Sequence, residues 1–482
     1  MPDVQLENIR EESLTDTEQP CVSGERSGSS AVRRRMVRGL GATALQPIVI
    51  AAIQLGTIPA LLHFWGAAKY GDWLILSAIP TYLTLSNLGF GDASGSDMTM
   101  RVAAGDRKGA LETYQSCWVL LSAVSLFVGL LAAGLVWKIP WHHWVKLSTL
   151  SDVQASAVVL VLAVYILFGL QCGILESGFR CDGNFATGTL FGSVMHLVET
   201  VLGTFAGVLT GSLLWPAVTY LVSRLAGTIA YSLLLRKKSP WLSLGFAYAS
   251  LSRVKALAKP GLGFMALPLA NAISIQGFTL LIASMLGAIA VTTFSTLRTL
   301  SRVNFQLMTV IAWAIWPELS RAFGEGNIPR ARTLHRHAYR AGLALTLMTT
   351  VALWFFGPML YQLWIRNAVP FDAACFHILL FVTLANSLWF TSSVVPMSTN
   401  AHHRITAIYV VLSLLSLGIG SVLVLPLGRT GAALALLLTD ISMNYLVLRT
   451  SLRQLREGFG PFVQAILIFP RFLRLSEQAK HS

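Results

Sequence analysis

The stretch VQASAVVLVLAVYILFGLQCGIL, at residues 153–175, carries no charged side chain and is long enough to cross a membrane as one helix. Eleven comparable apolar stretches occur along the chain, separated by short polar segments. They lie near residues 39–65, 72–91, 114–137, 188–210, 212–235, 260–286, 288–316, 338–364, 373–397, 406–426 and 430–449. Because backbone polar groups must be paired inside a membrane, we expect an all-α polytopic membrane protein with about twelve transmembrane helices.

The composition of the whole chain agrees with this fold class. Of the 482 residues, 54% are hydrophobic and 12% are charged, whereas soluble domains carry about 25% charged residues. The five cysteines are scattered without a CxxC pair, so we predict neither a metal site nor a disulfide framework. No phosphate-binding P-loop occurs, and we expect no nucleotide or other cofactor.

Lysine and arginine predict the orientation of the helices. They cluster in alternate loops, among them Arg236–Lys238 and the segment from Arg330 to Arg340, and opposite loops hold few. The basic residues in these opposite loops are Lys69, Lys138, Lys146, Arg366 and Arg429. The positive-inside rule therefore places both termini in the cytoplasm. The net charge of +14 follows from these loops and from attraction to anionic membrane lipids, and it needs no nucleic-acid partner.

These patterns divide the chain into five segments. We predict a disordered acidic cytoplasmic tail at 1–32 and a six-helix lobe at 33–238. A cytoplasmic linker at 239–259 leads to a second six-helix lobe at 260–450, and a basic amphipathic cytoplasmic tail occupies 451–482.

A weak internal repeat relates the two lobes. Gly39–Gly41 matches Gly261–Gly263 as GLG, and Gly66-Ala67 matches Gly287-Ala288 one residue out of register. The same second offset aligns Gly105 with Gly326. Since both halves start on the same side, we expect a parallel pseudo-two-fold repeat, with a cavity between lobes that rock to expose it on alternate sides.

Two segments resemble a known family. The run WGAAKYGDWLILSAIPTYLTLSNLGFGDA, at residues 65–93, resembles the first hairpin of bacterial polysaccharide flippases, with Asn87 where an aspartate is common. WAIWPELSRAFGEGNIPRAR, at residues 313–332, is similar to the segment after that family's eighth helix. The resemblance implies the fold of multidrug/toxin extrusion transporters and lipid II flippases. It also implies a location in the bacterial inner membrane.

The same resemblance implies a substrate and partners. The substrate would be an undecaprenyl-diphosphate-linked oligosaccharide, flipped from the cytoplasmic to the periplasmic leaflet for surface polysaccharide biosynthesis, such as lipopolysaccharide or exopolysaccharide. The partners would be membrane lipids and the polysaccharide polymerase and chain-length proteins that act on the exported glycan.

Three arginines within the predicted spans are candidate substrate ligands. Arg298 and Arg302 are one helical turn apart, and their stripe continues to Gln306. Arg298 lies about 15 Å from the outer end of its span, near the middle of a roughly 30 Å hydrocarbon core. An arginine at that depth costs at least about 2.5 kcal/mol unless it meets water or a partner. A guanidinium grips phosphate through two parallel hydrogen bonds, so we predict that Arg298, Arg302 and Arg224 bind a diphosphate.

Other polar residues in the spans have two interpretations. Glu199 with His196, and Asp440, could carry a coupling proton, or each acid could neutralise a buried arginine. Asn271, Gln276 and Gln54 could bind sugar hydroxyls or join helices.

We weigh two alternatives to a flippase. A multidrug/toxin exporter of the same superfamily would favour buried acids over buried arginines, because its substrates are usually cationic. A membrane-embedded polysaccharide polymerase or ligase usually needs a large outer loop with catalytic arginine or histidine, and the predicted outer loops are short. We therefore expect a transporter and no catalytic residues.

Overall fold

The computed structural model describes residues 25–399 and 403–467, and this part of the chain is helical without any strand. The first half forms α1 (Glu25–Thr81), α2 (Phe90–Ala103), α3 (Arg107–Leu135), the short α4 (Trp141–Trp144), α5 (Asp152–Cys181), α6 (Phe185–Thr210) and α7 (Leu214–Lys238). The second half forms α8 (Leu251–Ala272), α9 (Phe278–Leu286), α10 (Ala288–Ser301), α11 (Val303–Gly324), α12 (Ile328–Ile365), α13 (Ala373–Ser398), α14 (His403–Leu427), α15 (Arg429–Gln454) and the short α16 (Phe459–Leu467).

These helices make twelve passes, six in each lobe. Ten stretches of the described residues are long and apolar enough to span a membrane, and one of them, Val49–Ala103, contains two passes. It does so because α1 breaks at Gly66, whose φ of 75° and ψ of 171° end one helix and start the next. The remaining pass consists of α10 and α11. These two helices are continuous because the Arg302 amide donates to the Arg298 carbonyl, as in a regular helix.

The repeat predicted from the sequence is visible in the backbone. Gly287 separates α9 from α10 with a φ of 82° and a ψ of −178°, close to the values at Gly66. Gly105 and Gly326, with φ of 80° and 66°, occupy equivalent turns. Glycine fits these positive-φ positions without the steric cost of a side chain. The chain is therefore an all-α polytopic membrane protein of two six-helix lobes, as expected.

The two lobes approach closely at Gly89, where a β-carbon would lie 1.9 Å from the Gly261 carbonyl oxygen. They also pack together near Gly66 and Gly287. We call this the outer end, following the predicted orientation. A β-carbon on Gly71 would lie 2.2 Å from the Ala288 carbonyl oxygen, and Thr292 donates to the Ala67 carbonyl at 2.7 Å. One hydrophobic cluster spans both lobes here. Toward the opposite, inner end, the larger clusters belong mainly to one lobe or the other.

The tails and linker differ in part from the predicted segments. Residues 25–32 lie within α1 rather than in a disordered tail, and residues 1–24 are outside the described part. The non-helical linker ends at Ser250, because α8 begins at Leu251. Arg253 then pairs with Glu112 of α3 at 3.0 Å and attaches the start of α8 to the first lobe. Within 451–482, α15 continues to Gln454, α16 follows, and residues 468–482 are not described.

Candidate functional site

Arg298 is held between two passes of the second lobe. Its Nη1 donates to the Ile275 carbonyl at 3.1 Å and its Nη2 to the Thr279 hydroxyl at 3.3 Å. The guanidinium also lies 5.3 Å from the centre of the Phe294 ring. Ile275 is in a π-helical segment, Ile273–Gly277, that joins α8 to α9. These are neutral partners, so Arg298 keeps its charge available to an anion.

Arg302, one turn further along, lies 5.3 Å from the centre of the Phe305 ring. Within residues 25–399 and 403–467, neither Arg302 nor Arg298 forms an ion pair with a carboxylate. Phe305 in turn lies 5.1 Å from Phe390 of α13, the neighbour of Trp389, whose indole donates to Asp440. The structure thus brings Arg298, Arg302 and Asp440, three of the predicted site residues, into one region of the second lobe.

Asp440 is buried and firmly held. Its Oδ1 accepts hydrogen bonds from the Asn386 amide at 2.9 Å and from the Trp389 indole at 2.7 Å. Both donors lie on α13, which the sequence reasoning did not single out. They were hard to find, because one asparagine and one tryptophan in an apolar helix carry no distinctive pattern.

The four predicted amide residues have different surroundings. Gln306 donates to Gln54 of α1 at 3.3 Å and so connects the two lobes. Asn271 accepts from the Tyr409 hydroxyl at 3.4 Å. Gln276 is half-buried within the π-helical segment, next to Ile275, whose carbonyl Arg298 bonds. The bond between Gln54 and Gln306 favours the helix-joining interpretation for Gln54, and sugar binding by Asn271 and Gln276 stays a prediction.

Arg224, the third predicted diphosphate ligand, has a carboxylate partner. It pairs with Glu199 at 2.7 Å inside the first lobe, and the same Nη2 donates to the Tyr165 hydroxyl at 2.6 Å. Glu199 is only 1% exposed, and its Oε1 has no hydrogen-bond partner within the described residues. The acid neutralises the buried arginine, which is the second of the two roles considered for Glu199.

A cavity of about 320 Å³ lies beside this pair, among α1, α5, α6 and α7. Arg224, His196 and Glu176 contribute to its wall, and His196 is exposed. Glu176 was missed because the predicted span ended at residue 175, whereas α5 continues to Cys181. The continuing helical periodicity beyond residue 175 was the signal that would have found it.

The fold is that of MATE transporters of the MOP superfamily. The chain superposes on the inward-facing conformation of a multidrug resistance MATE family transporter with a TM-score of 0.71 and 14% identity, covering 87% of this chain and 99% of that one. The outward-facing conformation of such a transporter gives 0.61 and 12%, covering 88% and 96%. A MOP superfamily transporter from Pyrococcus furiosus, described as having a binding pocket of reversed polarity, gives 0.64 and 13%, covering 88% and 95%.

No family model and no curated protein sequence matches the chain. The likeness is therefore one of fold, at sequence identities of 12% to 14% for these three structures.

Proposed function

We propose that this protein is an alternating-access transporter that moves a negatively charged, amphipathic substrate across the membrane. The observation that carries the proposal is the pair Arg298 and Arg302, which has no carboxylate partner in the part of the chain that the structure describes. Uncompensated arginines at membrane depth are costly, and they are retained where a substrate or water pathway needs them. Asp440 nearby is already engaged by Asn386 and Trp389.

The arrangement of the lobes supports the alternating-access part of the proposal. They are packed backbone to backbone at Gly71 and Ala288, and the Trp364 indole donates to the Leu55 carbonyl at 3.0 Å. The TM-score is also higher against an inward-facing transporter than against an outward-facing one. The TM-scores favour an inward-facing state, in which the lobes are in close contact both at Gly71 and Ala288 and at Gly89 and Gly261.

The substrate has two candidates. The comparisons favour a multidrug or toxin exporter, because the neighbours are described as multidrug resistance or MATE transporters. The arginine pair and the two flippase-like segments favour an undecaprenyl-diphosphate-linked oligosaccharide. The neighbours are compatible with an amphipathic substrate, and the arginine pair favours a negative charge on it, so we propose a substrate with an anionic head on an apolar body. The neighbours are transporters rather than enzymes, which disfavours the polymerase or ligase alternative.

The experiment uses the purified protein in proteoliposomes with three probes. A fluorescent polyprenyl-diphosphate saccharide tests flipping, since a quencher added outside reports which leaflet holds the label. Ethidium tests export of a cation, and a fluorescent sulfonate amphiphile tests export of an anion. The Arg298→Ala/Arg302→Ala double variant is the matched control.

We expect movement of the lipid or of the sulfonate, with loss of movement in the double variant. Movement of the lipid probe identifies a flippase, and movement of the sulfonate alone identifies an exporter of anions. Transport of ethidium alone, at equal rates in both proteins, contradicts an anionic substrate.

A further inference from the structure

The π-helical segment Ile273–Gly277 interrupts the seventh pass beside Arg298. Such one-turn segments widen a helix by one residue and are frequent at functional sites. Here the Ile275 carbonyl accepts from the Phe278 amide, from the Thr279 hydroxyl at 2.8 Å and from Arg298 at 3.1 Å. One oxygen thus collects a backbone, a hydroxyl and a guanidinium donor, so the shape of this turn depends on the position of Arg298.

The same turn is in contact with the other lobe. A β-carbon on Gly277 would lie 3.4 Å from the Tyr82 hydroxyl of the first lobe and 3.4 Å from Leu417 of α14. Tyr82 belongs to the 3₁₀ segment Tyr82–Asn87, which interrupts the second pass. Two irregular segments, one in each lobe, therefore meet next to Gly277. A change of shape in either one alters the contact between the lobes.

We propose that Arg298 is shared between the substrate and the π-helical turn, so that binding of an anion at Arg298 releases the Ile275 carbonyl and reshapes the turn. This inference rests on the proposed function, since it needs an anion at Arg298. A guanidinium has five N–H donors, and only two N–H···O contacts are made here. Both contacts use the terminal nitrogens Nη1 and Nη2, so a phosphate that binds this end of the fork through two parallel hydrogen bonds takes the place of Ile275 and Thr279.

Binding of an anion at Arg298 is therefore linked to movement of the lobes. A ligand shifts a conformational equilibrium only by its differential affinity for the two states. Arg298 bonds the Ile275 carbonyl in the anion-free state and the phosphate in the anion-bound state, and this exchange of partners provides the differential affinity. Arg302 lacks it, because no hydrogen bond joins Arg302 to α8, α9 or the turn within the described residues. The two arginines thus have separable roles. Both attract the anion, but only Arg298 couples anion binding to the shape of the π-helical turn.

The test is hydrogen–deuterium exchange of the peptide that covers residues 270–286, read by mass spectrometry in detergent. Farnesyl diphosphate is the probe, farnesol is its neutral control, and calorimetry measures binding in parallel. In the wild-type protein, saturating farnesyl diphosphate should accelerate exchange in residues 273–279 at least about fivefold, and farnesol should not. Arg298→Ala should show the faster exchange already without ligand.

Two matched variants separate the roles. Arg302→Ala should weaken binding but keep the ligand-free exchange of the wild type, and it should still respond once saturated. Thr279→Val removes one donor to the Ile275 carbonyl and one acceptor that holds Arg298. It should therefore accelerate ligand-free exchange and bind farnesyl diphosphate at least as tightly as the wild type.

The outcomes distinguish this inference from the function on which it rests. If farnesyl diphosphate binds and exchange in residues 273–279 stays unchanged, the link to the turn is wrong and the anion site stands. If Arg298→Ala and Arg302→Ala give the same exchange pattern, the division of roles is wrong. If no anionic probe binds the wild-type protein, both the inference and the proposed anion site are overturned.

Discussion

Arg224 and Glu199, which are 2.7 Å apart inside the first lobe, form an ion pair whose carboxylate is 1% exposed. Tyr165 donates to the same carboxylate oxygen at 3.2 Å and its ring lies 4.6 Å from the guanidinium carbon. The first lobe thus compensates its buried arginine internally, whereas the second lobe leaves Arg298 and Arg302 without a carboxylate partner among the described residues. Because of this asymmetry between related lobes, we propose a binding role for Arg298 and Arg302 and expect a mainly structural role for Arg224.

Breaking this pair should therefore affect stability before it affects transport. Glu199→Gln leaves Arg224 buried without its counter-charge, which typically costs about 3 kcal/mol, and we expect a clear fall in the melting temperature of the purified protein. The Glu199→Gln/Arg224→Gln double variant should recover most of the loss. The control is Glu318→Gln, which breaks two surface pairs, with Arg321 and with Arg330, whose side chains are 40% to 51% exposed, and it should change little. Purely additive effects in the double variant would show that the two residues do not interact.

Arg298→Ala and Arg302→Ala should each reduce transport at least about tenfold without loss of protein from the membrane, because each removes a charge-assisted contact to the anion. Lysine at either position should restore part of the activity, since it supplies charge but not the planar fork. Transport is measured in proteoliposomes at matched protein amounts. Wild-type rates in both alanine variants would exclude a binding role, and disappearance of the variants from the membrane would point to a structural one.

Gln54 and Gln306 should move apart during the transport cycle, because their 3.3 Å hydrogen bond joins the two lobes. We expect a short reducible crosslinker between Gln54→Cys and Gln306→Cys, in a background without native cysteines, to stop transport and a reductant to restore it. The control pair is Cys172 with Thr228→Cys, in a background that keeps Cys172 as its one native cysteine; the native side chains are 3.2 Å apart within the first lobe. Undiminished transport after complete crosslinking of the first pair would rule out separation of the lobes at this point.

Gly71 should tolerate no larger residue, because a β-carbon there would lie 2.2 Å from the Ala288 backbone oxygen. Gly71→Val should therefore prevent close packing of the lobes at the outer end and abolish most transport. Gly56→Ala is the control, since no atom lies within 4 Å of a β-carbon at Gly56. Transport and melting temperature are measured for both variants. Normal transport by Gly71→Val would mean that the close packing at Ala288 is not required.

Reporters fused after Lys238, after Arg332 and at the C-terminus should all be cytoplasmic. The reason is the concentration of basic residues in the loops on that side. Alkaline phosphatase and green fluorescent protein fusions provide the measurement. A periplasmic result at any of these sites, in a folded fusion, would overturn the count of passes.

The fold class could be predicted from the sequence because its physical cause is local. An apolar stretch such as 153–175 can exist in lipid only as a helix with its own hydrogen bonds paired, and the glycines at 66, 105, 287 and 326 mark turns that need a positive φ. The candidate residues were also found locally, since a charge in an apolar span stands out whatever surrounds it. The span boundaries were less certain, and Glu176 was missed for that reason.

The role of each candidate depended on residues far away in the chain, and only the tertiary structure decided it. Arg224 and Arg298 look alike in sequence, yet Glu199 neutralises the first and a backbone carbonyl of a π-helical turn holds the second. Gln54, a candidate for sugar binding or helix joining, bonds Gln306 of the arginine stripe across 252 positions. Electrostatic and hydrogen-bond energies depend on distance and burial, and neither quantity is contained in the spacing of residues along one helix.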